Sequence, residues 1–308
     1  MTATATADAR FARLVQRIAP QGTLVRAWAL QGGVSARVTA LEIARPDGRT
    51  EKVVVRRHGA VDRAHNPQVG EVEFGLLDML RGAGVAAPRP YHLDRSGEIF
   101  PEPYIVIEYI EGQPEFAPTD VGALTAQLAA ALGAIHRVDC SGLDRSFLPR
   151  QEERFAARLR ERAPGADEAG DERRIREALA GVWPLPQRNS PVLLHGDFWP
   201  GNVLWNAGRL VAVIDWEDAA FGDPLADLAN ARLEMLWAFG LDTMEDFTEH
   251  YVALAVVDRT DLPYWDLCAA LRPAAALGTW GLDEGTEKAM RAGLGGFIDR
   301  ALDRLGER

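Results

Sequence analysis

Between residues 23 and 57, apolar and polar positions alternate in three blocks separated by turn residues. Thr23–Leu30, Arg37–Ile43 and Glu51–Arg57 read as successive strands, divided by Gly32-Gly33 and by Arg45-Pro46-Asp47-Gly48. The period then lengthens. Leu76, Leu77 and Leu80 share one helical face over 69–82, with Gly82 or Gly84 as the stop. Pro88 and Pro90 open a further extended stretch, and Tyr104–Tyr109 is a strongly apolar strand. A short amphipathic helix over 11–19 precedes all of these. The pattern thus predicts a five-stranded unit with one main helix, ending at a linker over Glu111-Gly112-Gln113-Pro114.

Beyond the linker the pattern is helical. Val121–Val138 is alanine-rich and apolar all round, as a buried helix is. Residues 150–180 are polar and dense in Arg and Glu, and read as two solvated helices about the turn Ala163-Pro164-Gly165. Residues 225–308 read as helices broken near Gly240, Pro263, Pro273 and Gly281. The expected fold class is α+β and bilobal. A small antiparallel lobe over 1–110 would precede a larger, mainly helical lobe over 111–308.

One run inside the helical half departs from it, VLLHGDFWPGNVLWNAGRLVAVIDWEDAAFGDPLADL over 192–228. Apolar Val192–Leu194 leads into His195-Gly196-Asp197, Asn202 follows five residues after Asp197, and Leu210–Ile214 leads into Asp215. Pro200-Gly201 and Gly208 punctuate the run as in a hairpin-like pair. A carboxylate that can accept a hydroxyl proton, together with an amide and a second carboxylate that can hold magnesium, is the equipment of phosphoryl transfer. The spacing matches the catalytic loop H-R-D-x-x-x-x-N, with glycine in place of arginine. Asp197 is therefore the expected catalytic base, and Asn202 and Asp215 the expected metal ligands. His195 suits a structural hydrogen bond, and Asp227 a buried acceptor steadying the loop. Glu217 and Asp218 could meet a cationic substrate or solvent, and Trp199 could pack or stack on a substrate ring.

Upstream, Gln31-Gly32-Gly33-Val34-Ser35 lies between two strands, where glycines admit phosphates close to the backbone and Ser35 adds a donor. The third strand ends in Val53-Val54-Val55-Arg56-Arg57. A kinase carries there a lysine that pairs with a glutamate of the next helix. Spacing gives the place to Arg56, with Glu73 as its partner and Glu71 as second choice. A guanidinium grips phosphate and carboxylate in a planar fork that an ammonium lacks, so the change is not neutral.

The segments HGDFWPGNVLWN and VIDWEDAAFGDPLADLA resemble the aminoglycoside phosphotransferase family, which is similar to choline, homoserine and fructosamine kinases and to macrolide phosphotransferases. The resemblance runs from about Gln31 to the C-terminal helices. It implies a protein-kinase-like fold using ATP and Mg2+ to phosphorylate small-molecule hydroxyls. It also implies a hinge at Ile107–Gly112, where adenine would meet the carbonyl of Glu108 and the amide of Ile110, and it allows Arg at position 56. Trp216-Glu217 stands where a protein kinase has Phe-Gly, and no Ala-Pro-Glu follows, so no phosphorylated activation loop is expected. An aminoglycoside or amino-sugar-like acceptor is the first expectation. Choline or ethanolamine, homoserine, a macrolide or a fructosamine is the second, and a catalytically weak ATP-binding regulator the third.

Charge sharpens this picture. The formal net charge is −11, and residues 216–308 carry 18 acids against 8 bases, nearly all of the excess. That sign opposes a nucleic-acid partner. It would attract a cationic substrate, or simply keep the surface solvated. Length suits two lobes, and the two cysteines, Cys140 and Cys268, show no metal or disulfide spacing. The N-terminus lacks the apolar core of a secretory signal and no run reaches membrane-span length, so a cytoplasmic enzyme without a membrane partner is expected.

Overall fold

The structure is a computed structural model. It describes residues 2–30, 36–140, 148–161 and 170–307. The chain divides into two compact units, Met1–Glu111 and Gly112–Arg308.

In the first unit, helix α1 (Thr2–Ile18) precedes β1 (Thr23–Ala29), β2 (Ala36–Ala44) and β3 (Thr50–His58). Short α2 (Ala60–His65), α3 (Val69–Gly82), β4 (Pro90–Asp94) and β5 (Tyr104–Glu108) follow. The five strands form one antiparallel sheet in the order β1-β2-β3-β5-β4. Alternation along β3 sends Val53 and Val55 into a core shared with Phe11, Leu14 and Val15 of α1, together with Leu41, Ile43, Phe100, Tyr104 and Val106. Val54 and Arg56 therefore point to the opposite face, where α3 buries Leu76, Leu77 and Leu80. Arg17 of α1 meets Asp94 at 2.8 Å, and the Tyr104 hydroxyl donates to the same carboxylate at 2.9 Å, tying helix to sheet. Burial works against the ionised Asp94. The donors from Ser96, Tyr104 and Arg17 outweigh it and hold its pKa at about 2.

The second unit is built on α4 (Val121–His136), α7 (Leu225–Phe239), α8 (Leu241–Leu254), α9 (Leu262–Ala276) and α10 (Glu284–Gly306). Helices α5 (Gln151–Arg160) and α6 (Asp171–Ala180) flank them. Asp120 caps α4 by accepting from the Ala123 amide at 2.9 Å, and Asp283 caps α10 through the Thr286 amide at 3.0 Å. Buried Arg232 of α7 donates to Asp266 of α9 at 3.0 Å and to Thr248 of α8 at 2.6 Å, locking three helices together. Pro273 does not break its helix as the sequence suggests. It lies buried in the last turn of α9, where the missing amide removes one bond close to an end that terminates anyway. Pro263 opens α9 at its first turn, where proline needs no acceptor.

The run over 192–228 forms two small sheets rather than one hairpin between its leading strands. Strand β6 (Val192–Leu194) pairs with β9 (Ala220–Gly222), and β7 (Val203–Asn206) pairs with β8 (Arg209–Val213). Ala207 and Gly208, both at positive φ, make the β7–β8 turn. Cys140 and Cys268 are buried free thiols. Among the described residues no helix is long and apolar enough to cross a membrane.

Candidate active site

Strand β6 buries Leu193 and Leu194 and then releases the chain at His195, where a single carboxylate takes over from the ladder. Asp227, in the first turn of α7, accepts from the His195 amide at 2.6 Å and from the Gly196 amide at 2.9 Å. It also meets His136 Nε2 at 3.2 Å, and His136 Nδ1 in turn meets the Tyr251 hydroxyl at 2.6 Å. One buried anion thus joins the loop to α4, α7 and α8, in the structural role expected of it. Burial alone would raise its pKa. His136, His195 and the Gly196 amide outweigh that and hold the carboxyl below its ordinary range.

The glycine in place of the loop arginine has a steric cause. Gly196 has φ +84°, and a Cβ there would lie 2.0 Å from the carbonyl oxygen of Asp218. No L side chain fits both constraints.

His195 is fully buried and bridges the two motif aspartates. Its Nδ1 accepts from the Asp197 amide at 3.3 Å, and its Nε2 donates to the carbonyl of Ile214 at 3.0 Å, one residue before Asp215. Asn202 closes the loop. Its Nδ2 donates to the Asp197 carbonyl at 2.9 Å and to Asp197 Oδ2 at 3.1 Å, while its own carbonyl accepts from the Ile214 amide at 2.9 Å. Asp215 then sits at φ +67°, a left-handed conformation that costs a non-glycine residue about 1 kcal/mol or more. Buried Trp216 anchors the turn through Nε1 to the Val213 carbonyl at 3.0 Å and packs on His195 at 4.5 Å.

These positions fit a magnesium ion. With its amide protons spent on Asp197, Asn202 keeps its side-chain oxygen, and Asp215 supplies a carboxylate. Mg2+ takes only one or two such hard donors from protein and fills the rest with water and phosphate. The described residues hold no group of three or more His, Cys, Asp or Glu that could hold a metal ion.

Asp197 is half-buried, and desolvation pushes its pKa up to about 6, with the charges of Asp218 and Asp215 adding and those of His195 and Arg272 opposing. A second raised carboxyl faces it. Glu234 of α7 reaches about 8 through burial and the charge of Asp197, against the pull of Arg272 from α9. Arg154 of α5 donates to the Asp218 carbonyl at 2.7 Å and stands 3.9 Å from its carboxylate. Asp218 thus already faces a guanidinium, and Glu217 is half-buried beside it. Trp199 packs within the unit. Its ring contacts Phe116 at 6.2 Å and leaves no room for a Cβ at Gly201.

Glu234, Arg154, Arg158 and Arg272 lie in no motif. A signal existed in their spacing. Glu234 follows Asp227 by seven residues on one helix face, and Arg150, Arg154 and Arg158 repeat every four.

In the first unit, Arg56 Nε lies 3.1 Å from Glu73 Oε2, both buried, and His58 Nε2 lies 3.4 Å from the same oxygen. Strand register sets Arg56 between Val38 and Ile105. Glu71 turns outward to Arg95 at 2.8 Å, so the second-choice partner is otherwise engaged. At the end of β5, the Glu108 amide donates to the Arg89 carbonyl at 2.8 Å, and its carboxylate accepts from the Arg89 amide at 3.1 Å. Ile110 follows in irregular chain. Tyr109 packs edge-on against Trp28 at 6.0 Å. Gly32, Gly33 and Ser35 lie outside the described residues.

A five-stranded antiparallel sheet with a buried Arg–Glu pair, and a helical unit carrying the Asp197–Asn202–Asp215 loop, define a kinase-like fold. Residues 27–275 match the model of the phosphotransferase enzyme family, and the chain belongs to that family. It is 28% identical over 277 residues to viomycin phosphotransferase of Streptomyces vinaceus, covering 82% of this chain and 91% of that protein. It is 26% identical over 234 residues to acyl-CoA dehydrogenase family member 11 of Rattus norvegicus, covering 65% of this chain but 29% of that protein. The chain thus spans less than a third of the length of the acyl-CoA dehydrogenase relatives it matches. Among solved structures, an amicoumacin kinase in complex with AMP-PNP, Ca2+ and Ami superposes with a TM-score of 0.67 at 16% identity, covering 95% of each chain.

Proposed function

We propose that the protein transfers the γ-phosphoryl group of ATP to a hydroxyl of a small molecule, with Asp197 as the proton acceptor. The acceptor oxygen bonds to the γ-phosphorus as the bond to the β–γ bridging oxygen breaks. ADP departs with that electron pair, and the hydroxyl proton passes to a carboxylate oxygen of Asp197. The observation that carries the reading is the clamp on Asp197. Asn202 and His195 fix its loop, while burial lifts its pKa to about 6, ionised at neutral pH yet closer than an ordinary aspartate to a useful proton-accepting value. Asn202 and Asp215 would hold Mg2+, which when bound supplies positive charge to the phosphate oxygens. In the unit of residues 1–110, Arg56, oriented by Glu73, would grip phosphate. Gly32, Gly33 and Ser35 would cover it, and the Glu108 carbonyl and Ile110 amide would meet the adenine. The unit of residues 111–308 would carry the acceptor.

For the acceptor, the acidic balance of residues 216–308 supports the aminoglycoside-like expectation, with Glu217, Asp218 and Trp199 as contacts. Arg154 beside Asp218 favours a second reading, another small alcohol. A catalytically weak regulator accords poorly with an intact Asp197, Asn202 and Asp215. A coupled ADP-release screen over aminoglycosides, macrolides, choline, homoserine and sugar amines tests the function. Asp197→Asn should keep ATP binding within twofold and cut turnover of the cognate alcohol by a hundredfold or more. Unchanged ATP consumption by that variant would remove Asp197 from the chemistry.

A further inference from the structure

Helix α5 is tied to β9 through the backbone at its first residues. The Phe221 amide donates to the Pro149 carbonyl at 3.0 Å, and Arg150 makes a parallel bridge to Phe221. Gln151 then packs so closely on Gly222 that a Cβ added there would lie 2.7 Å from the Gln151 Cβ. The half-buried Arg154, in the first turn of α5, reaches the segment that precedes β9. Its Nη1 donates to the Asp218 carbonyl at 2.7 Å and lies 3.9 Å from the Asp218 carboxylate. The same carbonyl oxygen packs against Gly196, where a Cβ would come within 2.0 Å of it. One carbonyl thus meets both the loop that carries Asp197 and a guanidinium of α5.

We propose that Arg154 is a positioning residue for Asp215, and that through Asp215 it sets the affinity of the site for Mg2+. The inference rests on the phosphotransferase reading, in which Asn202 and Asp215 hold the ion. Asp215 stands three residues before Asp218, at φ +67°. A non-glycine residue keeps such a backbone conformation only where its surroundings over-determine it. Trp216 supplies one restraint through Nε1 to the Val213 carbonyl at 3.0 Å. The Ala219 amide supplies another by closing the turn on the Trp216 carbonyl at 3.2 Å. Both bonds lie within the segment and move with it. Arg154 differs, because it ties the end of the turn to a helix that β9 already anchors. A charged donor bonds a carbonyl more strongly than a neutral one, and the planar guanidinium fixes direction as well as distance. Its charge alone would act the other way. A cation close to a Mg2+ site repels the ion, so removing it would tighten metal binding. Removing a group that orients a metal ligand weakens binding. Position and charge therefore predict opposite signs.

The test measures binding of Mn2+, in place of Mg2+, to the protein saturated with ADP, through loss of the free-ion EPR signal. ADP affinity without metal is read by calorimetry, and urea denaturation shows which variants are folded. Arg154→Ala should weaken Mn2+ binding by about tenfold or more, the range for groups that orient a metal's ligands. ADP affinity without metal should stay within twofold. Added methylguanidine should restore part of the loss. Arg154→Lys, a charged donor without the fork, should bind Mn2+ at least twofold more weakly than the unmodified protein, and carries the comparison if Arg154→Ala does not fold. Arg158→Gln removes a charge one turn further along α5 and should leave Mn2+ affinity within twofold. Unchanged or tighter Mn2+ binding by the folded Arg154 variants overturns the inference. So does an equal loss in Arg158→Gln, or an equal fall in ADP affinity without metal. Should the unmodified protein with ADP bind no Mn2+, the phosphotransferase reading falls, and the inference with it.

Discussion

Asp227 and Asp197 are thirty residues apart in one unit, both withdrawn from water, and their environments drive them in opposite directions. Asp227 receives two loop amides and His136, and is held below the ordinary carboxylate range. Asp197 receives Asn202, with three acids among its neighbours, and is lifted to about 6. Burial penalises both. The difference lies in how many donors compensate it. The saturated carboxylate organises the loop, and the undersupplied one is left able to take a proton. Glu234, pushed to about 8, extends the undersupplied region to a second group.

The contrast can be broken from either side. The largest effect is expected from Asp227→Ala, which strands two buried amides and His136. A loss of about 3–5 kcal/mol is the range for removing one partner from a buried charged network, and urea denaturation would measure it. Asp227 also contributes pH dependence. Its pKa is depressed, so its stabilisation is present above about pH 4, the unfolded value, and disappears as pH falls through the folded one. Gly196→Ala should come next, costing about 1–3 kcal/mol for the left-handed backbone and more from the clash with Asp218. It should also collapse turnover, because the displaced loop carries Asp197.

Smaller effects of opposite sign are expected at the raised acids. A carboxyl with an elevated folded pKa stabilises the protein below its unfolded value and ceases to do so as pH rises through the folded one. Asp197→Asn should therefore stabilise the nucleotide-free protein by about 1–3 kcal/mol at pH 7.5. The gain should fade between about pH 6 and 4, as thermal unfolding across pH would show. Activity of the unmodified enzyme should fall as pH drops through about 6. Glu234→Gln should likewise stabilise, the gain growing from about pH 4.5 to about pH 8 and persisting above. Asp197→Asn should lower the Glu234 titration point, since the charge of Asp197 helps raise it, and NMR titration of the Glu234 carboxyl carbon would follow it. The smallest change is expected from Arg56→Lys, which keeps charge near Glu73 but loses the fork, raising the KM for ATP severalfold.

The motif residues were legible because phosphoryl transfer needs fixed residue types at fixed spacing along two strands, and Arg56 with Glu73 because strand and helix periods put them on facing sides. Asp227 as the loop's acceptor followed from its position at the end of the run. Gly196 was legible only as a departure from the catalytic-loop pattern, since its reason is the Asp218 carbonyl, brought to it by folding. The pairing of β6 with β9 and of β7 with β8 escaped the pattern because strands of three to five residues carry too few alternations to declare partners. Pro273 misled because a proline's cost depends on its distance from the helix end, which local sequence does not mark. Arg154 read as solvated helix surface, and only its hydrogen bond to the Asp218 carbonyl, formed on folding, separates it from that surface.

The most direct test of the central claim compares the unmodified protein with Asp197→Asn, measuring Mg-ATP affinity by calorimetry and transfer of labelled γ-phosphate to the acceptor identified by the ADP-release screen. Equal affinity within twofold and a loss of transfer of a hundredfold or more is the result expected of a proton-accepting aspartate. Transfer at the unmodified rate, with affinity unchanged, would contradict it.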